Sequence, residues 1–152
     1  CLNGSAAWDG ASRSVYITSG GSFIKSGDEY YDPDELYWLS RIISAESRGE
    51  PLSGQIAVGN VILNRVASRD YPDTIWGVIF DRKYGVQFEP VLNGTVYAAP
   101  AAISVTAAKL CLEGVDLSRG SIYFYDPAIA QSSWIGMNRP YVMTIGNHYF
   151  YA

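Results

Sequence analysis

A single histidine, His148, and two cysteines, Cys1 and Cys111, are spread over 152 residues. That scarcity excludes the usual zinc sites, which gather several Cys or His ligands at close spacing, so neither a metal nor any other cofactor is expected. Basic runs are also missing. With 11 Lys and Arg against 15 Asp and Glu, the net charge is −4, which argues against a nucleic-acid groove. No stretch reaches the roughly 18 continuous apolar residues that span a bilayer, so no membrane span is expected. The first residues carry no signal-peptide pattern, and the chain is expected to be part of a larger protein. Low-complexity sequence is absent too: 48% of residues are apolar and 17% charged. One packed domain with a short appendage is the expectation. Two readings of the cysteines stay open, a disulfide between Cys1 and Cys111, or a free Cys111 on the buried side of a helix.

Aromatic residues, by contrast, are plentiful: 12 Tyr and 4 Trp. Most are expected in packing, with a minority in a cleft as platforms for flat or sugar-like ligands. The first 31 residues read as a hairpin and linker. "SAAWDGASRSVYITSG" places β-type runs on either side of Asp9-Gly10, a strong turn dipeptide. Residues 18–31 are rich in Gly and Ser. The remainder, 32–152, reads as the main domain. Asp32 and Pro33 open a helix that Gly49 and Pro51 stop near Arg48, with Glu35 placed for a capping box. A second helix from Ser53, "GQIAVGNVILNRVAS", is apolar nearly all round and is expected in the middle of the domain. A short helix follows Asp73, an irregular Gly- and Pro-rich stretch covers 81–100, and a further helix runs from Pro100 to about Glu113. "SIYFYDP", "YVMTI" and "HYFYA" then predict a small antiparallel sheet. The class is α+β.

Two glutamates stand four apart where the first helix ends, in "SAESRGEP". At about 100° per residue, Leu36, Leu39, Ile42 and Ile43 form one stripe, and Glu46 falls inside it. Burial without a cationic partner raises a carboxyl's pKa, the state a general acid needs near neutral pH. The competing reading is a buried acid bonded to backbone or tyrosine with no catalytic duty. Glu50 lies beyond the helix stop and is expected to brace the turn into the second helix. Asp81, Glu89 and Asp126 fall in loops or strand ends and read as solvated acids.

The segment "IISAESRGEPLSGQIAVGNVILNRVASRDYPDTIWGVIF" resembles the core motif of the spore cortex-lytic cell wall hydrolases, the SleB/CwlJ type. "QFEPVLNGT", "SIYFYDP" and "IGNHYFY" follow in the family's order, so the likeness covers about 34–152. It implies a lysozyme-like fold and cleavage of peptidoglycan between N-acetylmuramic acid and N-acetylglucosamine. It also implies that Glu46 works as the single acid of a lytic transglycosylase, leaving 1,6-anhydromuramic ends. An extracytoplasmic setting follows, in the wall or spore cortex, with germination as the occasion and an accessory spore protein as a conceivable partner. Gln87 and Phe88 are placed along the groove of such a fold. Tyr123 and Tyr125, on one face of a strand, and Trp134, in the polar loop that follows, are candidates for stacking on sugars, with core packing as the alternative for Phe88 and Tyr123. His148, in an aromatic strand, reads as structural support. The first residues resemble, over about fifteen positions, the closing hairpin of stalk-type domains similar to the copper amine oxidase N-terminal domain. Two other functions compete: an amidase or peptidase of the wall, and a glycan-binding or spore-assembly module without catalysis.

Overall fold

The computed structural model describes residues 4–11, 13–19, 27–83, 85–130 and 134–152. The chain folds as two compact units, Cys1–Tyr30 and Tyr31–Ala152. In the first unit, β1 (Gly4–Asp9) pairs antiparallel with β2 (Ser14–Ser19), Trp8 opposite Val15. The predicted turn is present, with Asp9 accepting the amide of Ala11 at 3.0 Å. Cys1 lies outside the described residues.

The second unit is built on α1 (Pro33–Ser47), α2 (Leu52–Ala67) and α5 (Ala102–Leu112), which pack on one another. Asp32 caps α1 by accepting the amides of Asp34 and Glu35 at 2.9 and 3.0 Å, and Pro33 occupies the first turn where no amide is missed. Asp32→Ala is expected to cost about 1 kcal/mol, lowering the thermal midpoint by about 2–4 °C in calorimetry. The short α3 (Ile75–Ile79) is capped by Thr74 and sends Ile75, Val78 and Ile79 into the core beside Leu39, Ile42 and Ile43.

As its all-round apolar pattern requires, α2 runs through the middle. Ile56 and Ile62 face the helices, while Ala57, Val58 and Val61 face Phe150 of the sheet. Gly59 makes the crossing close: a Cβ there would lie 2.7 Å from both Cys111 Sγ and Ile43 Cδ1. Cys111 is a free buried thiol whose Sγ donates to the Ile56 carbonyl, as the second of the two cysteine readings anticipated.

The sheet is antiparallel and three-stranded, in the order β3 (Tyr123–Tyr125), β5 (His148–Tyr151), β4 (Tyr141–Ile145). Its inner face carries Phe124, Phe150 and Met143 against α2. Alternation puts Tyr123 and Tyr125 on the outer face with their β5 partners Tyr151 and Tyr149.

Three local expectations change. The stretch read as irregular holds α4 (Glu89–Asn93) and a 3-10 turn, Thr95–Tyr97. Pro90 sits in the first turn of α4, where proline is tolerated, and Gly94 ends it at φ 78°. Trp134, expected in a loop, opens α6 (Trp134–Asn138). Helix α5 begins at Ala102, with Ala101 as its cap and Pro100 before it.

Candidate active site

Glu46 occupies the last turn of α1, next to the fully buried Ile42 and Ile43. It is half-buried, and its carboxylate has no hydrogen bond or ion pair among the described residues. Burial raises its pKa from 4.5 to about 7, the negative charge of Glu89 pushes it further up, and the charge of Arg65 draws it back. An acid of this kind is close to half protonated at neutral pH, so it can give a proton and take one back.

Arg65 stands in the last turn of α2 and is buried. Its Nε donates to the Ile122 carbonyl at 2.7 Å, and the rings of Tyr71, Phe88 and Tyr123 surround the guanidinium. The Tyr71 and Tyr123 side chains share a hydrogen bond, and burial first, then that bond, pushes the Tyr71 hydroxyl up to about 12. On the outer side, Arg139 covers Tyr123 at 4.6 Å and Trp134 at 5.6 Å. The polar residues of α2 tie this region down. Asn60 bonds the Val115 carbonyl and the Leu117 amide, and Asn64 bonds Ser118 Oγ and the Ser121 carbonyl.

Glu50 braces more than the turn between α1 and α2. Its two carboxylate oxygens accept from the Asn147 amide and side chain at 3.0 and 2.9 Å, joining that turn to the β4–β5 hairpin 97 residues away. Gln55, fully buried, donates to the Glu50 carbonyl and accepts from Ser104 Oγ, so both ends of its amide are satisfied. His148 is buried against Phe124 and Phe150, with Nδ1 unpartnered among the described residues. Burial lowers its pKa, keeping the ring neutral near pH 7, while Glu50 and Asp126 act weakly the other way.

The other candidates separate by exposure. Phe88 is 3% exposed and packs against Phe124, so it lies under the site and offers no free face; its ring is needed to fill space between α4 and the sheet. Gln87 is half-buried, its Nε2 bonded to the Gly85 carbonyl at 3.1 Å. Tyr123 lies between Arg65 and Arg139. Tyr125 stacks on Tyr151 at 5.6 Å under Gly136 of α6, and Trp134 is 50% exposed. Arg65 and Asn147 were not singled out by sequence, and Glu89, read there as a solvated loop acid, stands in the first turn of α4 and acts on Glu46. Arg65 carried the same signal as Glu46, a charge on a helix that is otherwise apolar; the reach of Glu89 and Asn147 is non-local and has no such mark.

Among the described residues no three His, Cys, Asp or Glu side chains gather as a metal site, and no helix is long and apolar enough to cross a membrane. Burial pushes the Cys111 thiol up to about 12, which removes it as a thiolate nucleophile.

A helical core walled by a small antiparallel sheet, with a partly buried carboxyl at a helix end, defines a lysozyme-like α+β class of domain. The chain belongs to the cell wall hydrolase family, whose model matches residues 49–151, a span that opens just past Glu46. A solved structure of the catalytic domain of the germination-specific lytic transglycosylase SleB from Bacillus anthracis is 36% identical. It superposes with a TM-score of 0.72, covering 80% of this chain and 97% of that one. The catalytic domain of the Bacillus cereus SleB protein gives 35% and 0.71, covering 88% and 100%. The spore cortex-lytic enzyme of Bacillus cereus is 37% identical over 120 residues, 79% of this chain and 45% of that protein. The enzyme of the same name from Halalkalibacterium halodurans is 38% identical, over 79% and 35%. The chain thus spans less than half the length of these curated relatives.

Proposed function

We propose that this domain cleaves the β-1,4 bond between N-acetylmuramic acid and N-acetylglucosamine as a lytic transglycosylase, with Glu46 as its single acid and base. The observation that carries this is the half-buried, unpaired Glu46 carboxyl with a pKa near 7. A retaining or inverting glycosidase needs two carboxylates flanking the bond. Here one carboxyl serves twice. Protonated Glu46 gives its proton to the glycosidic oxygen as the C1–O bond breaks. The resulting carboxylate takes the proton of the muramic C6 hydroxyl as that oxygen closes on C1. Atoms balance without water, and the product ends in a 1,6-anhydro ring. The substrate's acetamido group is placed to share the positive charge that develops at C1.

Tyr123, Tyr125, Trp134 and Gln87 are the residues for gripping the glycan, with Trp134 offering the most exposed ring and Phe88 supporting from below. Glu50 and His148 hold the turn and sheet that shape the groove. Support for the substrate comes from the relatives, one solved structure being named a germination-specific lytic transglycosylase and the sequence relatives being named spore cortex-lytic enzymes. An extracytoplasmic site of action, in the spore cortex, goes with that substrate.

Mass spectrometry of products from purified cortex and vegetative peptidoglycan tests the proposal. Muropeptides with muramic ends lighter by one water are expected. Ends carrying the full reducing sugar would mean hydrolysis; free stem peptides would mean an amidase; no products at all would mean a binding module.

A further inference from the structure

Two guanidinium groups share one tyrosine ring, and neither forms an ion pair with a carboxylate among the described residues. The Arg65 carbon lies 5.5 Å from the Tyr123 centroid, and the Arg139 carbon lies 4.6 Å from it. With 15 acidic side chains against 11 basic ones, composition does not force two cations to stand together unpaired. Arg65 is the odder of the two. It is only 5% exposed, its Nε is fixed on the Ile122 carbonyl at 2.7 Å, and its Nη1 is buried with no partner among the described residues. Tyr71 at 5.1 Å and Phe88 at 5.3 Å complete its cage, and Asp81 acts on it through its charge alone. Ring faces recover part of the lost hydration but leave the charge in place. An apolar side chain of similar volume generally fills such a slot at no loss of stability. Arg139, exposed just past α6, also lies 5.6 Å from the ring of Trp134, itself 50% exposed. Tyr71 and Tyr123 share one side-chain hydrogen bond, which leaves one of their two hydroxyl protons to donate elsewhere.

We propose that Arg139, Tyr123 and Arg65 form a subsite for a carboxylate carried by the peptidoglycan strand. Arg139 makes the direct contact, since its exposed planar fork matches the two oxygens of a carboxylate. Arg65 stays in its cage and supplies a charge that salt screens poorly, which keeps the potential at Tyr123 positive whatever the rotamer of Arg139. The spare tyrosine proton is a further donor to the same anion. Trp134 offers its ring face to the sugar that bears the acid. Of the two alternating sugars, only the muramic one carries an acid, on its lactyl group or on the peptide attached there. A cation pair beside Trp134 therefore sets the register of the strand: it selects which sugar docks there, and hence which of the two alternating bonds is presented for cleavage. N-acetylglucosamine at the same place would leave the pair unsatisfied. The subsite rests on the proposal that this domain acts on peptidoglycan.

Binding of three soluble strands to the Glu46→Gln protein, which is expected to leave them uncut, is the test. One strand keeps its stem peptides, one is stripped by an amidase to bare lactyl carboxylates, and one is stripped and then capped as neutral methylamides. The capped strand is expected to bind about tenfold more weakly than the charged ones, and about 0.3 M salt should erase most of that ratio. Tight binding of the stripped strand assigns the lactyl carboxylate; tight binding of the intact strand alone assigns a carboxylate of the stem peptide. Adding Arg139→Gln should bring the charged-to-capped ratio to within about twofold of one. Arg65→Met, which keeps the packing against the three rings, should lower the same ratio at least about threefold; if it does not fold, Arg139→Gln decides alone. Lost packing would weaken all three strands alike and leave the ratio where it was. Equal affinity for charged and capped strands, or a ratio that Arg139→Gln does not move, overturns the subsite. Failure of every strand to bind brings down the substrate itself. Cutting by Glu46→Gln would refute the assignment of the acid, while the ratio still decides the subsite.

Discussion

Glu46→Gln is expected to reduce peptidoglycan turnover by about 1,000-fold or more, because the same carboxyl supplies both proton transfers. A variant retaining a tenth of the activity would refute the single-acid mechanism. The same substitution is expected to stabilise the fold in a pH-dependent way. The native value of about 7 lies above the ordinary 4.5, so between these values the native state holds a proton that the unfolded chain has lost. Native stability therefore falls as pH rises from 4.5 to 7 and levels off above. At about 1.4 kcal/mol per unit the bound is about 3 kcal/mol, reduced to about 2 kcal/mol by the carboxyl's partial exposure. Glutamine, which carries no charge, escapes this loss. Denaturation at pH 8 should find Glu46→Gln more stable than the natural chain, and at pH 4 the two should coincide. Coincidence at both pH values would mean that burial does not tax the carboxylate.

Gly146→Ala is the second large effect. Gly146 has φ 58°, and a Cβ there would lie 1.7 Å from Glu50 Oε2 and 3.0 Å from Glu50 Cδ. The glutamate is flexible at its end, so it can swing away, but only by giving up both bonds to Asn147. Together with left-handed strain at a residue that now carries a side chain, the cost is about 2–3 kcal/mol, or about 5–10 °C in thermal midpoint. The mechanism has a signature in a double-mutant cycle. Glu50→Ala costs about 1–2 kcal/mol in the natural background and less than about 0.5 kcal/mol once Gly146→Ala has displaced the carboxylate. Additive losses would show that the two positions act separately.

The periodic parts of this protein were open to reading from sequence. Leu39, Ile42 and Ile43 mark a stripe that a carboxyl interrupts, and the structure places Glu46 on that buried side with a raised pKa. The cap at Asp32 and the buried α2 were legible for the same reason: local bonding and periodicity decide them. Pro90 and Gly94 misled, since the same two residues that suggest a loop also bound the short helix α4. Phe88 shows a different limit. Whether an aromatic ring faces solvent or fills a core depends on what lands on it, here Arg65 and Phe124, both distant in sequence. The bond from Glu50 to Asn147 is of the same kind. Sequence could assign the glutamate to a brace, but its partner across 97 residues has no local sign.

The order of strands carries a consequence for synthesis. β5 lies between β3 and β4, which never pair with each other, although it comes last of the three along the chain. Tyr123, part of the cage around Arg65, therefore has no strand partner until His148–Tyr151 has emerged. A chain still short of those residues can assemble its helices but not the sheet that packs on α2. Closure of the sheet is thus held back until the last strand has been made, whatever the helices have done before it.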